Sequence, residues 1–125
     1  MKVLLVDDEE DIRKIGRVSL ERVGKLDVVL AGSAAEALSV AMAERPDLIL
    51  MDVMMPGVDG LAGFAAIHNV PELRDIPAIF MTARVQRAEI DQCLAAGAIG
   101  VIHKPFDPMT LPAEILRLLG KPSPS

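Results

Sequence analysis

The sequence has very few aromatic residues: three phenylalanines, no tyrosine and no tryptophan among 125 residues. Without aromatic rings there is no platform on which the bases of single-stranded nucleic acid could stack. The chain also lacks a dense basic stretch, and its formal net charge is −5. Both absences argue against direct binding of nucleic acid. The core must be built from aliphatic side chains and methionine.

Cysteine and long apolar runs are also scarce. Cys93 is the single cysteine, which excludes an internal disulfide and is typical of proteins in a reducing compartment. No apolar run approaches the roughly 18 residues that a membrane span needs. The first residues lack the long apolar region of a signal peptide. We therefore predict one cytoplasmic domain that does not associate with a membrane.

Short apolar runs alternate with helical patterns along the chain. The runs predict strands at residues 2–6, 27–31, 48–51, 78–81 and 98–102. Helices are predicted at residues 10–23, from Ser33 to Pro46, after Asp59, at residues 86–96 and at the end of the chain before Gly120. Continuous apolar runs are typical of strands that are buried on both faces. Five consecutive β–α units predict an α/β fold, with one parallel sheet and helices on both of its faces.

Three of the helix starts carry recognisable signals. Ser33 and Glu36 form a capping-box pattern, and Asp59 can cap the third helix. Pro112 fits the first turn of the last helix if Thr110 is the cap, and fits badly if Asp107 is.

Acidic residues follow two of the predicted strands. Asp7 and Asp8 come directly after the first strand, and Asp52 directly after the third. Because sites in open parallel sheets form at the carboxyl ends of the strands, these three carboxylates should meet at one edge. Adjacent carboxylates repel each other unless a cation or proton lies between them, and oxygen ligands of this kind suit Mg²⁺. The neighbouring acids 9–11 have a simpler explanation, since acids stabilise a helix N-terminus.

Three further features belong to the same edge. The Asp52 carboxylate could be a nucleophile that forms an acyl phosphate, or simply a turn-forming residue. Lys104 follows the last strand and precedes Pro105 in a turn that could include a cis bond, so it could neutralise phosphoryl charge; a solvated surface lysine is the alternative. Thr82 ends the fourth strand, where its hydroxyl could donate to a phosphoryl oxygen, although threonine is common in strands.

Taken together, these residues resemble the receiver domain of two-component response regulators, in particular the chemotaxis-regulator type. The resemblance covers about residues 2–119 and implies the flavodoxin-like strand order 2-1-3-4-5, the order that such receivers exemplify. We expect a receiver domain over residues 1–120, followed by a flexible tail or linker at 121–125. The matching residues, in chain order, are Asp7 and Asp8, Asp52 within residues 51–60, Thr82 and Ala83, and Lys104, Pro105 and Phe106.

The resemblance also implies a role for each residue. Asp52 would accept a phosphoryl group from the phosphohistidine of a sensor histidine kinase or a histidine phosphotransfer protein. Asp8, Asp52 and the Met54 backbone carbonyl would bind Mg²⁺ directly, and Asp7 would act through water. Lys104 would contact the phosphoryl oxygens, and Thr82 would report phosphorylation to a downstream partner that the sequence does not identify. The chain would be a signalling switch that catalyses only its own phosphorylation and dephosphorylation, not a classical enzyme.

The sequence departs from the family pattern at one place. Receivers usually carry an aromatic residue three positions before the lysine, whereas this chain has Val101 there. The usual coupling between the threonine and an inward-turning ring cannot operate in that form. A phosphate-independent interaction module on the same fold is therefore the alternative function. A phosphatase with an aspartate nucleophile is disfavoured, because the residue two positions after Asp52 is Met54 and not a second aspartate.

Overall fold

The computed structural model describes residues 1–122, so residues 123–125 of the predicted tail lie outside the described part. The strands are β1 (Lys2–Val6), β2 (Asp27–Ala31), β3 (Leu48–Asp52), β4 (Ala78–Thr82) and β5 (Gly100–His103). The helices are α1 (Glu10–Val18), α2 (Ala34–Glu44), α3 (Gly60–His68), α4 (Arg87–Ala95) and α5 (Leu111–Leu118). A π-helical turn (Ser19–Val23) extends α1, and a short 3-10 helix (Pro71–Leu73) follows α3. Within residues 1–122, no helix has both the length and the apolar character needed to cross a membrane.

The five strands form one parallel sheet in the order β2-β1-β3-β4-β5, which confirms the predicted fold class and strand order. The register aligns Val6 with Met51 and Thr82 with His103. As a result, the carboxyl ends of β1, β3, β4 and β5 lie side by side along one edge. Every residue of the predicted site lies at one of these strand ends or in the loop that follows it.

Two aliphatic cores lie on opposite faces of the sheet, because successive side chains of a strand point to opposite faces. One core packs Leu4, Ile49 and Phe80 against helices α2, α3 and α4. The other packs Leu5 and Leu50 against α5 and the π-helical turn. Helices therefore cover both faces, as predicted.

The predicted caps are confirmed. Ser33 Oγ accepts a hydrogen bond from the Glu36 amide at 3.1 Å, and the Asp59 carboxylate accepts one from the Ala62 amide at 2.9 Å. Thr110 is the residue before α5, which places Pro112 in the first turn of that helix.

Two predicted boundaries were wrong for identifiable reasons. The first helix does not stay α-helical to residue 23: it widens into the π-helical turn, where the Gly24 amide bonds to the Ser19 carbonyl and Leu20 is fully buried. The fifth strand begins at Gly100 and not at Ala98, because the Ala98 amide still bonds to the Cys93 carbonyl in α4.

Candidate functional site

The predicted acidic residues converge at the carboxyl edge of the sheet. Asp7 directly follows β1 and is 0% exposed, and Asp52 is the last residue of β3 and is 3% exposed. Asp8, one residue further along the loop, is exposed. One carboxylate oxygen from each of these residues lies within 4.8 Å of the others. Two buried acids are costly unless they are paired, so this cluster requires an explanation beyond packing.

Contacts of backbone atoms hold the segment around Asp52 in place. The Gly60 amide at the start of α3 donates to the Val53 carbonyl at 2.9 Å. A Cβ atom on Gly60 would collide with the Asp52 carbonyl, so only glycine permits this close approach. The Met54 amide donates to Asp52 Oδ1 at 3.3 Å. The loop after β3 therefore fixes the Asp52 carboxylate at the mouth of the site.

Lys104 supplies the cation that contacts these acids. Its Nζ atom lies 2.8 Å from Asp7 Oδ2, 3.1 Å from Asp52 Oδ2 and 3.7 Å from Glu9 Oε1. Its side chain is only 13% exposed, which excludes a solvated surface lysine. The Lys104–Pro105 peptide bond is cis, one of the options that the sequence left open for this turn. One ammonium faces several carboxylates here, so the site keeps an excess of negative charge.

The ionisation of the site follows from burial and from these contacts. Burial and, to a lesser degree, the negative charge of Asp7 raise the pKa of Asp52, although Lys104 and the Met54 amide oppose the shift. Burial alone would lower the pKa of the Lys104 ammonium, but its hydrogen bonds to Asp7 and Asp52 outweigh that effect and raise it. Lys104 therefore stays charged. Because one ammonium does not balance the nearby carboxylates, the buried Asp52 carboxylate favours the binding of an additional cation.

The donor set is consistent with a Mg²⁺ site. Mg²⁺ prefers oxygen ligands in an octahedron with bonds of about 2.0–2.1 Å, which separates neighbouring ligand oxygens by about 3 Å and opposite ones by about 4 Å. One oxygen from each of Asp7, Asp8 and Asp52 lies within 4.8 Å of the others, which is close enough for a single hydrated ion to contact them directly or through water. The Met54 carbonyl as a further ligand stays a prediction.

An open cavity of about 330 Å³ leads to Asp52 and Lys104. Its wall is largely apolar and comes from helix α1 and from the loops after β1, β3, β4 and β5; it includes Glu9, Ile12, Met54, Ala83 and Pro105. The Met54 side chain is exposed at the rim. The cavity therefore connects Asp52 and Lys104 to solvent.

Thr82 lies at the same edge but contacts neither Asp52 nor Lys104 through a side-chain hydrogen bond in the described residues. It is 2% exposed, and its Oγ1 atom accepts a hydrogen bond from the Arg84 amide at 3.0 Å. Val101 is partly buried, aligns with Phe80 in the sheet and packs against the core beneath α4. An aliphatic side chain therefore stands where the family pattern has a ring.

The sequence did not identify two neighbours of the site. Glu9 was assigned only to the helix N-terminus, yet its carboxylate is within 3.7 Å of Lys104 Nζ. Arg13 was not singled out, yet its Nη1 atom donates to the backbone carbonyl of Asp7 at 2.7 Å. No pattern of side chains could have revealed the second contact, because its acceptor is a main-chain atom.

Comparison with known sequences identifies one protein family. A family model described as the response regulator receiver domain matches residues 3–116. Transcriptional regulatory protein YvrH of Bacillus subtilis is 41% identical over 113 residues, which are 90% of this chain and 46% of that protein. The chain therefore spans about half the length of this relative. An uncharacterised 14.6 kDa protein of Leptolyngbya boryana is 35% identical over 95% of this chain and 87% of its own length.

Solved structures agree with the sequence comparison. The chemotaxis protein CheY4 of Vibrio cholerae superimposes with a TM-score of 0.87 and 32% identity, over 94% of this chain and 97% of that one. A response regulator from Desulfuromonas acetoxidans gives a TM-score of 0.84 and 30% identity, over 95% and 96% of the two chains.

Proposed function

The chain belongs to the response regulator receiver domain family, and from this premise we propose that Asp52 accepts a phosphoryl group from a phosphohistidine. Receiver domains are signalling proteins and not classical enzymes, so the product of the reaction would be the phosphorylated switch itself. The observation that carries the proposal is the buried Asp52 carboxylate, which opens to a cavity and lies 3.1 Å from Lys104 Nζ.

The transfer is a displacement at phosphorus. A bond forms between an Asp52 carboxylate oxygen and the phosphorus atom, while the bond from phosphorus to the donor imidazole nitrogen breaks. The electron pair of the broken bond stays on that nitrogen. Asp52 suits the role of the nucleophile, because burial and the charge of Asp7 raise the pKa of its carboxyl and the Met54 amide holds its orientation.

The surrounding residues would stabilise the transferred charge. Lys104 Nζ lies 3.1 Å from Asp52 Oδ2, so its positive charge would stand beside the oxygens of a phosphoryl group attached to that carboxylate. Mg²⁺, when bound, supplies further neutralisation of the phosphoryl oxygens. Asp8 and Asp52 would hold it directly together with the Met54 carbonyl, and Asp7 would act through water.

The consequence of phosphorylation would be read through Thr82. Within residues 1–122, its hydroxyl accepts a hydrogen bond from the Arg84 amide and donates none, so its proton would be available for a phosphoryl oxygen. Because Val101 replaces the usual ring, the signal would leave through the Thr82–Arg84 segment and not through an aromatic side chain. We propose a sensor histidine kinase or histidine phosphotransfer protein as the donor, and a downstream protein or effector domain as the recipient.

A phosphate-independent interaction module is the second candidate, and Val101 is the observation that favours it. Such a module would retain the fold and its partner surface without using Asp52. The two candidates differ in a single measurable property, which is covalent modification at position 52.

Phosphorylation with a small donor separates them. The purified protein is incubated with Mg²⁺ and acetyl phosphate, and its intact mass is measured. We expect the gain of one phosphoryl group, its loss in Asp52→Ala, and its retention in Asp59→Ala, which removes an exposed acid of the same loop. An unmodified wild-type protein that nevertheless binds Mg²⁺ would favour the interaction module and overturn the switch.

A further inference from the structure

Arg13 connects helix α1 to the acidic loop through the main chain. Its Nη1 atom donates to the Asp7 carbonyl oxygen at 2.7 Å, in a partly buried position. The guanidinium lies over Gly32, which directly follows β2, and a Cβ atom on this residue would stand 3.1 Å from Nη1. This distance is tighter than an ordinary contact, so the absence of a side chain at Gly32 makes room for the arginine.

The contact completes the anchoring of Asp7. The Asp7 amide donates to the Ala31 carbonyl at 3.1 Å, so the backbone of this residue is bonded on both sides. Its carboxylate accepts from the Glu9 amide at 2.9 Å and from Lys104 Nζ at 2.8 Å. Asp7 is therefore fixed by four hydrogen bonds.

Asp8 has much less support. It is exposed, and within residues 1–122 its carboxylate takes part in no hydrogen bond or ion pair with another residue. Its direction is set by the peptide that precedes it. Because a peptide unit is planar and trans, holding the Asp7 carbonyl also fixes the orientation of the Asp8 amide and the position of its Cα atom.

We propose that Arg13 is a positioning residue for the cation site: by holding the Asp7 carbonyl, it directs the Asp8 carboxylate toward Asp52. The inference rests on the proposed function, which assigns Asp8 as a direct Mg²⁺ ligand. In this proposal Arg13 acts through the Asp7 main chain and contacts neither the phosphoryl group nor the metal.

A positioning role and a simple charge effect predict opposite results. Arg13 carries a positive charge near a cation site, so its removal should strengthen Mg²⁺ binding if only electrostatics mattered. Removal of a group that orients a ligand should weaken binding, by about 10-fold or more for a partner of this kind. The sign of the change therefore distinguishes the two.

The experiment measures Mg²⁺ affinity by isothermal titration calorimetry, since the chain has no tryptophan whose fluorescence could report binding. We expect Arg13→Ala to bind Mg²⁺ about 10-fold more weakly than the wild type. Arg17→Ala is the matched control: it removes the same charge from the same helix, and the contact of Arg17 within the described residues is an exposed ion pair with Glu21. It should bind Mg²⁺ as well as the wild type or slightly more tightly.

A second variant tests the geometry without changing any charge. Gly32→Ala introduces a Cβ atom against the guanidinium and should also weaken Mg²⁺ binding. The same substitution made in Arg13→Ala should have no further effect, because the group that it displaces is gone. Thermal unfolding without Mg²⁺ identifies any variant that is not folded. If Arg13→Ala or Gly32→Ala does not fold, the Mg²⁺ affinity of the other is compared with that of Arg17→Ala.

Each result has a distinct meaning. Equal or tighter Mg²⁺ binding by folded Arg13→Ala overturns the positioning role and leaves the proposed function intact. Independent, additive effects of Gly32→Ala and Arg13→Ala would also contradict it. A wild-type protein that binds no Mg²⁺ would remove the metal from the proposed function, and the role of Arg13 with it.

Discussion

The two ends of the parallel sheet each carry a lysine bonded to carboxylates, yet they differ in what surrounds the charges. At the amino edge, Lys2 Nζ lies 3.0 Å from Glu44 Oε1, and the side chains are 34% and 42% exposed. At the carboxyl edge, Lys104 Nζ lies 2.8 Å from Asp7 Oδ2, and the side chains are 13% and 0% exposed. The two pairs have similar distances and opposite environments.

The two edges therefore differ in burial and charge balance, and not in contact distance. Water screens the amino-edge pair, and exposed pairs of this kind contribute about 0–1 kcal/mol. The carboxyl edge brings Asp7, Asp8 and Asp52 together with one lysine, so its excess negative charge is poorly screened and favours a cation. The topology produces this asymmetry, because all four loops of the site leave from the same edge of a parallel sheet.

Removing each lysine in turn should give the largest contrast between the edges. Lys104→Met should slow phosphorylation by acetyl phosphate by about 10²- to 10³-fold, since a preorganised charge is lost where phosphoryl charge develops. Lys2→Met should be phosphorylated by acetyl phosphate at the wild-type rate. Both are measured by intact mass over time, with circular dichroism as the check on folding. Similar rates for the two variants would remove the functional distinction between the edges.

Removing individual acids sharpens the contrast within the carboxyl edge. Asp8→Ala should weaken Mg²⁺ binding by about 10-fold or more, because it deletes a ligand oxygen. Asp11→Ala removes an acid of the first turn of α1 that is not part of the cluster, and should change the affinity much less. Titration calorimetry measures both. Equal effects would show that the affinity reflects general negative charge and not specific ligands.

The stability of Asp52→Asn should depend on pH. Burial and the charge of Asp7 raise the pKa of Asp52 above its ordinary 3.8, so the folded state holds the proton more strongly than the unfolded state. Below pH 3.8 the residue is neutral in both states and the substitution changes little. As pH rises through the folded-state pKa, ionisation costs the wild type stability that asparagine retains.

Urea unfolding without Mg²⁺ tests this at neutral pH and below pH 3.8. Asp52→Asn should be more stable than the wild type only at the higher pH. A variant that is less stable at neutral pH would mean that the Asp52–Lys104 contact outweighs the cost of burying the carboxylate.

The smallest effect is expected at the amino edge. Glu44→Gln removes the partner of Lys2 and should cost less than about 1 kcal/mol of unfolding free energy. The cost should shrink further at high salt, because salt screens exposed charges. A loss of several kcal/mol would show that the exposed Lys2–Glu44 pair contributes as much as a buried ion pair, which would contradict the difference between the two edges.

Much of this arrangement was predictable, because it depends on pattern and topology. The apolar runs before Asp7, Asp52 and Lys104 predict parallel strands, and the carboxyl-end rule predicts that these residues meet at one edge. The caps at Ser33 and Asp59 followed from local side-chain chemistry.

The parts that were missed depend on packing or on main-chain atoms. The π-helical turn after α1 is set by tertiary contacts: Ser19 donates to the Pro108 carbonyl, far along the chain. The contact from Arg13 ends on a carbonyl oxygen, which every residue possesses, so no sequence pattern marks it. The start of β5 depends on the hydrogen bond from the Ala98 amide to the Cys93 carbonyl, which keeps Ala98 out of the sheet.

We propose that Mg²⁺ binds at the carboxyl edge of the sheet and not at the amino edge. A titration of the ¹⁵N-labelled protein with Mg²⁺, followed by amide chemical shifts, distinguishes the two edges. We predict that the largest shifts fall on residues 7–9, 52–54 and 104. Shifts confined to Lys2, Glu44 and Asp47, or no saturable shift at all, would contradict the account.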